Sequence, residues 1–165
     1  MICYASGNLL LADVEALVNT VNTVGVMGKG LALQFKEAFP QNFLAYEDAC
    51  KRGGVEIGRM FVTETSRVVG PRWIINFPTK RDWRHPSRLE YVCEGLYDLV
   101  RVIRERGIKS VALPPLGCGY GGLDWAQVKR EIESALTDLS DVDVLLYQPT
   151  DTYPAAPKRT AVQAR

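Results

Sequence analysis

Two hydrophobic periods alternate along this chain, and they predict that strands and helices follow one another. Short apolar runs rich in β-branched residues predict strands, the clearest of them a buried strand over residues 17–21. Apolar residues spaced three or four positions apart predict helices, and the strongest such stripe lies in residues 88–106. Its apolar face comprises Leu89, Val92, Leu96, Leu99, Val100 and Ile103.

The order of the predicted elements is typical of the α/β class, with a mainly parallel sheet covered by helices. The other strands are predicted at residues 2–5, 59–65, 72–77, 109–113 and 143–147, and the other helices at residues 30–38, 42–51 and 125–136. Residues 150–165 carry two prolines and three basic residues without any period. They predict a linker or disordered tail that follows one folded domain over residues 1–149.

Residues with special backbone or side-chain chemistry predict where the helices begin and end. Gly53 and Gly107 stand where a glycine usually closes a helix, and Pro40 is expected to end the helix over residues 30–38. Ser87 and Asp124 are predicted to cap the helices that follow them.

The charge and cysteine content exclude several classes of function. A net charge of +1 over 165 residues gives no general attraction for nucleic acid, so any such contact has to come from a local patch. No apolar run approaches the roughly 20 residues of a membrane span, and no signal-peptide pattern opens the chain. One histidine and widely spaced cysteines argue against a zinc site and predict a cytoplasmic protein with free thiols. These residues are His85, Cys3, Cys50, Cys93 and Cys118.

Two glycine-rich segments stand between a predicted strand and a predicted helix. They are the first glycine loop, residues 25–30, and the second glycine loop, residues 117–122. Backbone amides of such loops, with a helix N-terminus behind them, bind phosphate, so the pair suggests a ligand whose two phosphates are held from both sides. The alternative for each loop is a tight strand-to-helix turn without a ligand.

Neither loop fits the nucleotide-binding motifs to which glycine-rich loops usually belong. The first departs from the Walker pattern, because its first glycine is too close to Lys29 and no Ser or Thr follows that lysine. The second reads GCGYGG and matches GxGxxG, but it begins the last βαβ unit, and Asp141 and Asp143 would enter the final strand rather than leave it. A nicotinamide cofactor therefore fits poorly, and no cofactor is predicted.

Polar side chains are predicted beside these loops, at the same edge of the sheet. Asn22 follows the strand over residues 17–21 and is interpreted as a ligand-binding residue, whereas a structural role is favoured for Asn19 within that strand. Lys80 follows the strand over residues 72–77. It is either an ordinary solvated lysine or, in a desolvated pocket, a nucleophile or base.

A cluster of cations and aromatic rings follows this lysine along the chain. It consists of Arg81, Trp83, Arg84 and His85. Such a cluster is a platform for stacking a nucleic-acid base and holding a phosphate. The alternative is a polar loop with a tryptophan docked on the surface, and composition alone does not separate the two.

Taken together, these segments resemble a macrodomain, the fold that binds ADP-ribose. The similarity rests on Gly7-Asn8 near the first strand, on VNTVNTVGVMGKGLALQFKEAFP, on FPTK, and on LPPLGCGYGG followed by LDW. It covers residues 1–149 and implies a three-layer α/β/α fold with a central mixed, mostly parallel sheet. Within the family, the lysine after the central strand is similar to that of the human terminal ADP-ribose protein glycohydrolase and, more closely, of the DarG antitoxin group.

The resemblance implies a role for each matching residue around bound ADP-ribose. Lys80 would stand at the anomeric carbon of the distal ribose and Asn22 would hold that ribose, so these two are the implied catalytic residues. The implied ligand-binding residues are Asn8 and Leu9 beside the adenine, Gly28, Gly30 and Leu31 around the phosphates and distal ribose, and Gly117, Cys118, Gly119, Tyr120, Gly121 and Gly122 on the opposite side.

Two segments depart from the pattern of the family. Most macrodomains carry an aspartate where this chain has Asn8, so the usual carboxylate contact to the adenine amino group is missing. The human lysine-type enzyme carries an aspartate soon after its GCG, where this chain has Tyr120 and Gly121. A lysine–aspartate pair is therefore not expected, and Asp124 is expected only as a helix cap.

The resemblance implies a DNA ADP-ribosyl glycohydrolase, an antitoxin that removes ADP-ribose from thymidine bases of single-stranded DNA modified by the DarT toxin. Lys80 would act without a metal, either through a transient Schiff base with the opened sugar or by protonating or polarising the leaving thymine.

The expected partners are ADP-ribose, modified DNA and, through a domain absent here, the DarT toxin; a monomer without membrane contact is expected. The alternatives are a reader module that only binds ADP-ribose and a hydrolase of protein-linked or small-molecule ADP-ribose adducts.

Overall fold

The structure, a computed structural model, describes residues 1–149, which form an α/β domain. The predicted tail, residues 150–165, lies outside the described residues. The strands are β1 Ile2–Ala5, β2 Ala16–Val21, β3 Phe61–Glu64, β4 Trp73–Pro78, β5 Ser110–Leu113 and β6 Asp143–Tyr147. The helices are α1 Gly30–Ala38, α2 Pro40–Lys51, α3 Leu89–Glu105 and α4 Trp125–Leu136, and a 3-10 turn spans Leu9–Leu11.

The six strands form one sheet in the order β1-β6-β5-β2-β4-β3. All neighbouring strands are parallel except β3, which runs antiparallel to β4 at one edge. The predicted mixed, mostly parallel sheet is therefore confirmed. Because β2 lies between β4 and β5, the carboxyl ends of these three parallel strands meet at one edge of the sheet, where open α/β folds bind their ligands.

Alternate residues of the strands pack into hydrophobic clusters on opposite faces of the sheet. Val18 of β2 packs with the residues of α3 and α4, including the stripe predicted from the sequence. Its neighbour Leu17 packs on the other face with Phe35 and Phe39, in and just after α1. This period of two in the strands places a helical layer on each face, which confirms the three-layer arrangement.

Most of the predicted helix ends are confirmed. The side chain of Asp124 accepts a hydrogen bond from the amide of Gln127 and caps α4. Gly53 and Gly107 follow α2 and α3 with φ of +70° and +62°, the left-handed conformation that closes a helix. Pro40 follows the end of α1 as predicted, but it also begins α2, which starts two residues earlier than expected.

The predicted cap at Ser87 is wrong. Helix α3 begins at Leu89 with Arg88 at its N-cap, and no side chain caps it. The backbone amide of Ser87 instead donates to the carbonyl of Gly121 at 3.0 Å. The serine side chain is buried in that contact, and its hydroxyl has no hydrogen-bond partner among the described residues.

Candidate functional site

A cleft of about 1700 Å³ opens at the carboxyl ends of β2, β4 and β5. Its walls are the two glycine loops and the segment that follows β4. The predicted site residues that line it are Asn8, Leu9, Asn22, Gly28, Leu31, Lys80, Trp83, Arg84, His85, Gly117, Gly119, Tyr120, Gly121 and Gly122. Three predicted residues, Gly30, Cys118 and Arg81, are not in its lining.

The first glycine loop is held in place by side chains from beneath. The Asn22 amide donates to the carbonyl of Val26 at 2.8 Å and accepts from the amides of Val24 and Val26 at 3.1 and 3.3 Å. The Tyr46 hydroxyl from α2 lies 2.7 Å from the carbonyl and 2.9 Å from the side-chain oxygen of Asn22. Burial raises the pKa of Tyr46 well above its usual range, so this phenol stays protonated and donates. The Asn22 amide therefore shapes the loop, and its predicted ribose contact remains a prediction.

The second glycine loop is held by its own backbone. The amide of Cys118 donates to Pro115, that of Gly122 to Gly119, and that of Leu123 to Gly117, at 2.9–3.1 Å. A Cβ at Gly117 would lie 2.7 Å from Cδ1 of Leu123, and one at Gly121 would overlap the carbonyl oxygen of Gly117. Gly117 and Gly122 also have φ of +72° and +77°, which disfavours any side chain. Glycine is therefore required at these three positions, and without side chains there the backbone of the loop can approach a ligand closely.

Lys80 stands where the two loops approach each other. The amide of the preceding Thr79 donates to the carbonyl of Val21 at 2.9 Å, which fixes the chain beyond the end of β4. The half-buried Lys80 amine lies 3.3 Å from the carbonyl oxygen of Tyr120 in the second glycine loop. Burial lowers the pKa of Lys80, and the positive charge of Lys29 lowers it further. A larger share of this amine is thus neutral at a given pH, as a nucleophile or base requires.

Other groups near Lys80 are poor candidates for the same chemistry. Burial and the charge of Asp124 raise the pKa of Cys118 to about 12, so its thiol is neutral and weakly nucleophilic near pH 7. The carboxylate of Asp124 is occupied as the cap of α4. Within residues 1–149, Lys80 forms no salt bridge, and no group of three or more His, Cys, Asp or Glu is placed to hold a metal ion.

The predicted platform for stacking a nucleic-acid base only partly faces the cleft. Trp83, Arg84 and His85 are exposed beside the cleft, and the guanidinium of Arg84 lies 4.9 Å from the centre of the Trp83 ring. Arg81 points elsewhere, with its guanidinium 5.7 Å from the Tyr91 ring on α3. Its carbonyl accepts hydrogen bonds from the amide and hydroxyl of Thr23. Arg81 therefore joins the platform segment to the chain that leads into the first glycine loop, rather than facing the cleft.

Two asparagines have mainly structural contacts. The Asn8 side chain accepts from the amide of Leu10 at 3.0 Å and caps the 3-10 turn at the edge of the cleft. Asn19 is fully buried, and its amide nitrogen lies 3.4 Å from the side-chain oxygen of Asn76 beneath the site. The structural interpretation of Asn19 agrees with this position.

Sequence reasoning missed several residues of the cleft, including Lys29, Ser87, Tyr147 and Gln148. Tyr147 ends β6, which neighbours β5, so the sheet order would have indicated it. Lys29 stands inside the first glycine loop, whose departure from the Walker pattern gives this lysine no role by motif. Its amine lies 5.2 Å from the centre of the Tyr120 ring.

The chain belongs to the macro domain family, whose characteristic sequence pattern matches residues 18–132. It is 62% identical over 150 residues to a DNA ADP-ribosyl glycohydrolase of Mycobacterium tuberculosis, a match that covers 91% of this chain and 43% of the relative. The solved macrodomain of Mycobacterium tuberculosis DarG superposes with a TM-score of 0.90 at 62% identity, over 91% of this chain and 99% of that one. These findings confirm the resemblance to DarG macrodomains.

A further solved structure carries the ligand that the resemblance implies. Thermosipho africanus DarTG, determined in complex with ADP-ribose, superposes with a TM-score of 0.83 at 35% identity, over 90% of this chain and 42% of that one. The chain spans less than half the length of the curated DNA ADP-ribosyl glycohydrolases of Mycobacterium tuberculosis and Thermus aquaticus. None of the helices in residues 1–149 combines the length and the apolar character needed to cross a bilayer.

Proposed function

We propose that this chain is the catalytic macrodomain of a DNA ADP-ribosyl glycohydrolase, which releases ADP-ribose from thymidine in single-stranded DNA. The observation that carries the proposal is the half-buried Lys80 in a cleft lined by both glycine loops, with its amine 3.3 Å from the carbonyl oxygen of Tyr120. The relatives at 60–62% identity are named for this activity. The DarT toxin is the proposed source of the modified DNA and a partner of the full-length protein, and a cytoplasmic monomer is proposed for this domain.

The two glycine loops suit the diphosphate of ADP-ribose. They approach from β2 and β5, on either side of the cleft, and the first leads directly into the N-terminus of α1. Amides and a helix N-terminus together favour an anion without needing a bound cation. With the phosphates between the loops, we expect the distal ribose at the Lys80 end of the cleft, and the contact of Lys80 with Tyr120 of the second loop supports this orientation.

The reaction breaks the bond between the anomeric carbon and a thymine nitrogen, through a sugar with oxocarbenium character. In one route, the neutral Lys80 nitrogen bonds to the anomeric carbon as the bond to thymine breaks and thymine leaves with a proton. The bond between that carbon and the ring oxygen then breaks, which opens the ribose and gives a Schiff base, and water hydrolyses the Schiff base to ADP-ribose and free lysine. In the other route, Lys80 delivers a proton to the thymine nitrogen, and water supplies the hydroxyl at the anomeric carbon. The lowered pKa of Lys80 supports the first route, since only the neutral amine is nucleophilic.

The proposal is tested by measuring release of ADP-ribose from a single-stranded oligonucleotide carrying ADP-ribose on thymidine. Lys80→Ala is expected to lose roughly 10²–10⁴-fold in turnover, the usual contribution of a catalytic acid or base, while its affinity for ADP-ribose is retained. The control is Lys51→Ala, which removes an exposed lysine from α2 and should leave turnover unchanged. Equal turnover by the parent and Lys80→Ala would remove Lys80 from the mechanism. A parent protein that binds ADP-ribose but releases none from the oligonucleotide would be a reader module instead.

A second measurement separates DNA from protein substrates. Trp83 is exposed beside the cleft, where a flanking base can stack on it, and such stacking contributes about 1–3 kcal/mol per base. Trp83→Ala should therefore slow release from modified DNA more than release from an ADP-ribosylated protein. Tyr97→Ala, which removes a largely exposed aromatic ring from α3 outside the cleft, is the matched control. Equal losses on both substrates would favour the protein hydrolase instead.

A further inference from the structure

Two lysines from different segments meet at one residue of the second glycine loop. Lys80, which follows β4, donates to the backbone carbonyl of Tyr120 at 3.3 Å. Lys29, from the first glycine loop, places its amine 5.2 Å from the centre of the Tyr120 ring. Tyr120 thus receives one amine on its backbone and the other on its π face, where a cation is attracted to the ring.

We propose that Lys29 is a positioning residue for the Lys80 amine, a role that rests on the proposed function. From the first loop it spans the cleft to the Tyr120 ring. There it fixes the carbonyl to which Lys80 donates and keeps a second positive charge at the reacting end of the cleft.

The positive charge of Lys29 affects the protonation of the Lys80 amine. The titratable or charged side chains lining the cleft are Lys29 of the first loop, Lys80, Arg84 and His85 after β4, Tyr120 and Asp124 of the second loop and α4, and Tyr147 of β6. Burial is the main cause that lowers the pKa of Lys80, and among these side chains Lys29 supplies the charge that lowers it further. A fixed cation disfavours a second cation nearby, so Lys29 keeps more of the Lys80 amine neutral.

The Lys29 side chain has little structural purpose of its own. It is exposed, and although Lys29 is the N-cap of α1, its side chain makes no capping hydrogen bond. Its backbone φ of −155° is extended, a conformation that any residue adopts. Substitution is therefore expected to leave the fold intact, which makes the role testable.

The test compares Lys29→Met, which keeps length but removes charge, with Lys29→Arg, which keeps both charge and attraction to the ring. Turnover of the modified oligonucleotide is measured against pH. Removing the charge raises the pKa of Lys80, so for Lys29→Met the rise of kcat with pH should move to higher pH. Its turnover near pH 7 should fall severalfold and recover at alkaline pH, whereas Lys29→Arg should follow the parent.

A second readout does not depend on activity. Reductive methylation with ¹³C-labelled formaldehyde allows the Lys80 amine to be titrated directly by NMR, and Lys29→Met should move that titration to higher pH. Lys36→Met is the matched control, since Lys36 also lies over an aromatic ring, 4.3 Å from the centre of Phe43, but outside the cleft. It should change neither the titration nor the pH profile.

The possible failures are distinguishable. A parent protein that releases no ADP-ribose contradicts the proposed function. A parent that is active, with an unshifted Lys80 titration in Lys29→Met, overturns the role of Lys29 alone. A fall in kcat/KM that is equal at every pH and arises only from a higher KM also overturns it, because Lys29 would then bind substrate rather than position the reacting amine.

Discussion

The two glycine loops line the same cleft, but opposite physical means hold them. The first rests on side chains, the Asn22 amide within the turn and the Tyr46 hydroxyl beneath it. The second rests on backbone hydrogen bonds and on the absence of side chains at Gly117 and Gly121. A loop of the first kind is damaged by removing atoms, and a loop of the second kind by adding them. Each of the following substitutions tests one side of this contrast.

The largest effect is expected from Gly121→Ala. Its Cβ would overlap the carbonyl oxygen of Gly117 and the hydroxyl of Ser87, so the second loop has to open. We expect the unfolding free energy to fall by about 2–3 kcal/mol through overpacking. Release of ADP-ribose should fall roughly 100-fold, because the phosphate site is displaced.

The control for that substitution is Gly119→Ala in the same loop. A Cβ at Gly119 would meet no atom within 4 Å, and its φ is not positive. Thermal unfolding of this variant should match the parent. A Gly121→Ala protein as stable and as active as Gly119→Ala would contradict the close packing assigned to the second loop.

The next effect is expected from Gly119→Glu, which adds charge without overlap. Gly119 lines the cleft, so a carboxylate there would face the proposed diphosphate. Repulsion between like charges a few ångströms apart is expected to weaken ADP-ribose binding by about 2 kcal/mol, while the melting temperature stays that of the parent. Calorimetric titration gives the affinity, and unchanged binding would mean that the loop faces another ligand.

The smallest effect is expected from Tyr46→Phe, which removes one oxygen from beneath the first loop. The carbonyl of Asn22 then loses its buried donor, and such a loss costs about 1 kcal/mol in unfolding free energy. ADP-ribose binding should weaken less than in Gly119→Glu, because the Asn22 amide still holds Val24 and Val26. Chemical denaturation measures the change, and a loss of all binding would show that the loop has no other support.

The parts of the fold that the sequence predicts are those whose determining contacts are local or periodic. The α/β class, the strand and helix order and the apolar stripe of α3 follow from periodicity, because burial on one face leaves a regular pattern. Glycine closures at Gly53 and Gly107 follow from local backbone chemistry in the same way. The predicted cap at Ser87 is wrong because the amide of Ser87 donates to the carbonyl of Gly121, 34 positions further along the chain, a contact that local rules do not contain.

The site was predicted less completely, and the reason is again distance along the chain. Asn22 and Lys80 were recognised as polar residues at strand ends, and both lie at the cleft. Arg81 was grouped with Trp83 and Arg84 by proximity, but its guanidinium faces Tyr91. No local pattern in the sequence assigns a role to Lys29, because only the fold brings its amine to the Tyr120 ring.

The structure of this chain with bound ADP-ribose tests the central claim most directly. The account predicts the diphosphate between the first and second glycine loops, with the anomeric carbon of the distal ribose within about 3.5 Å of the Lys80 nitrogen, the distance of a reacting pair. A distal ribose turned toward Asn8, or a diphosphate outside the two loops, would contradict it.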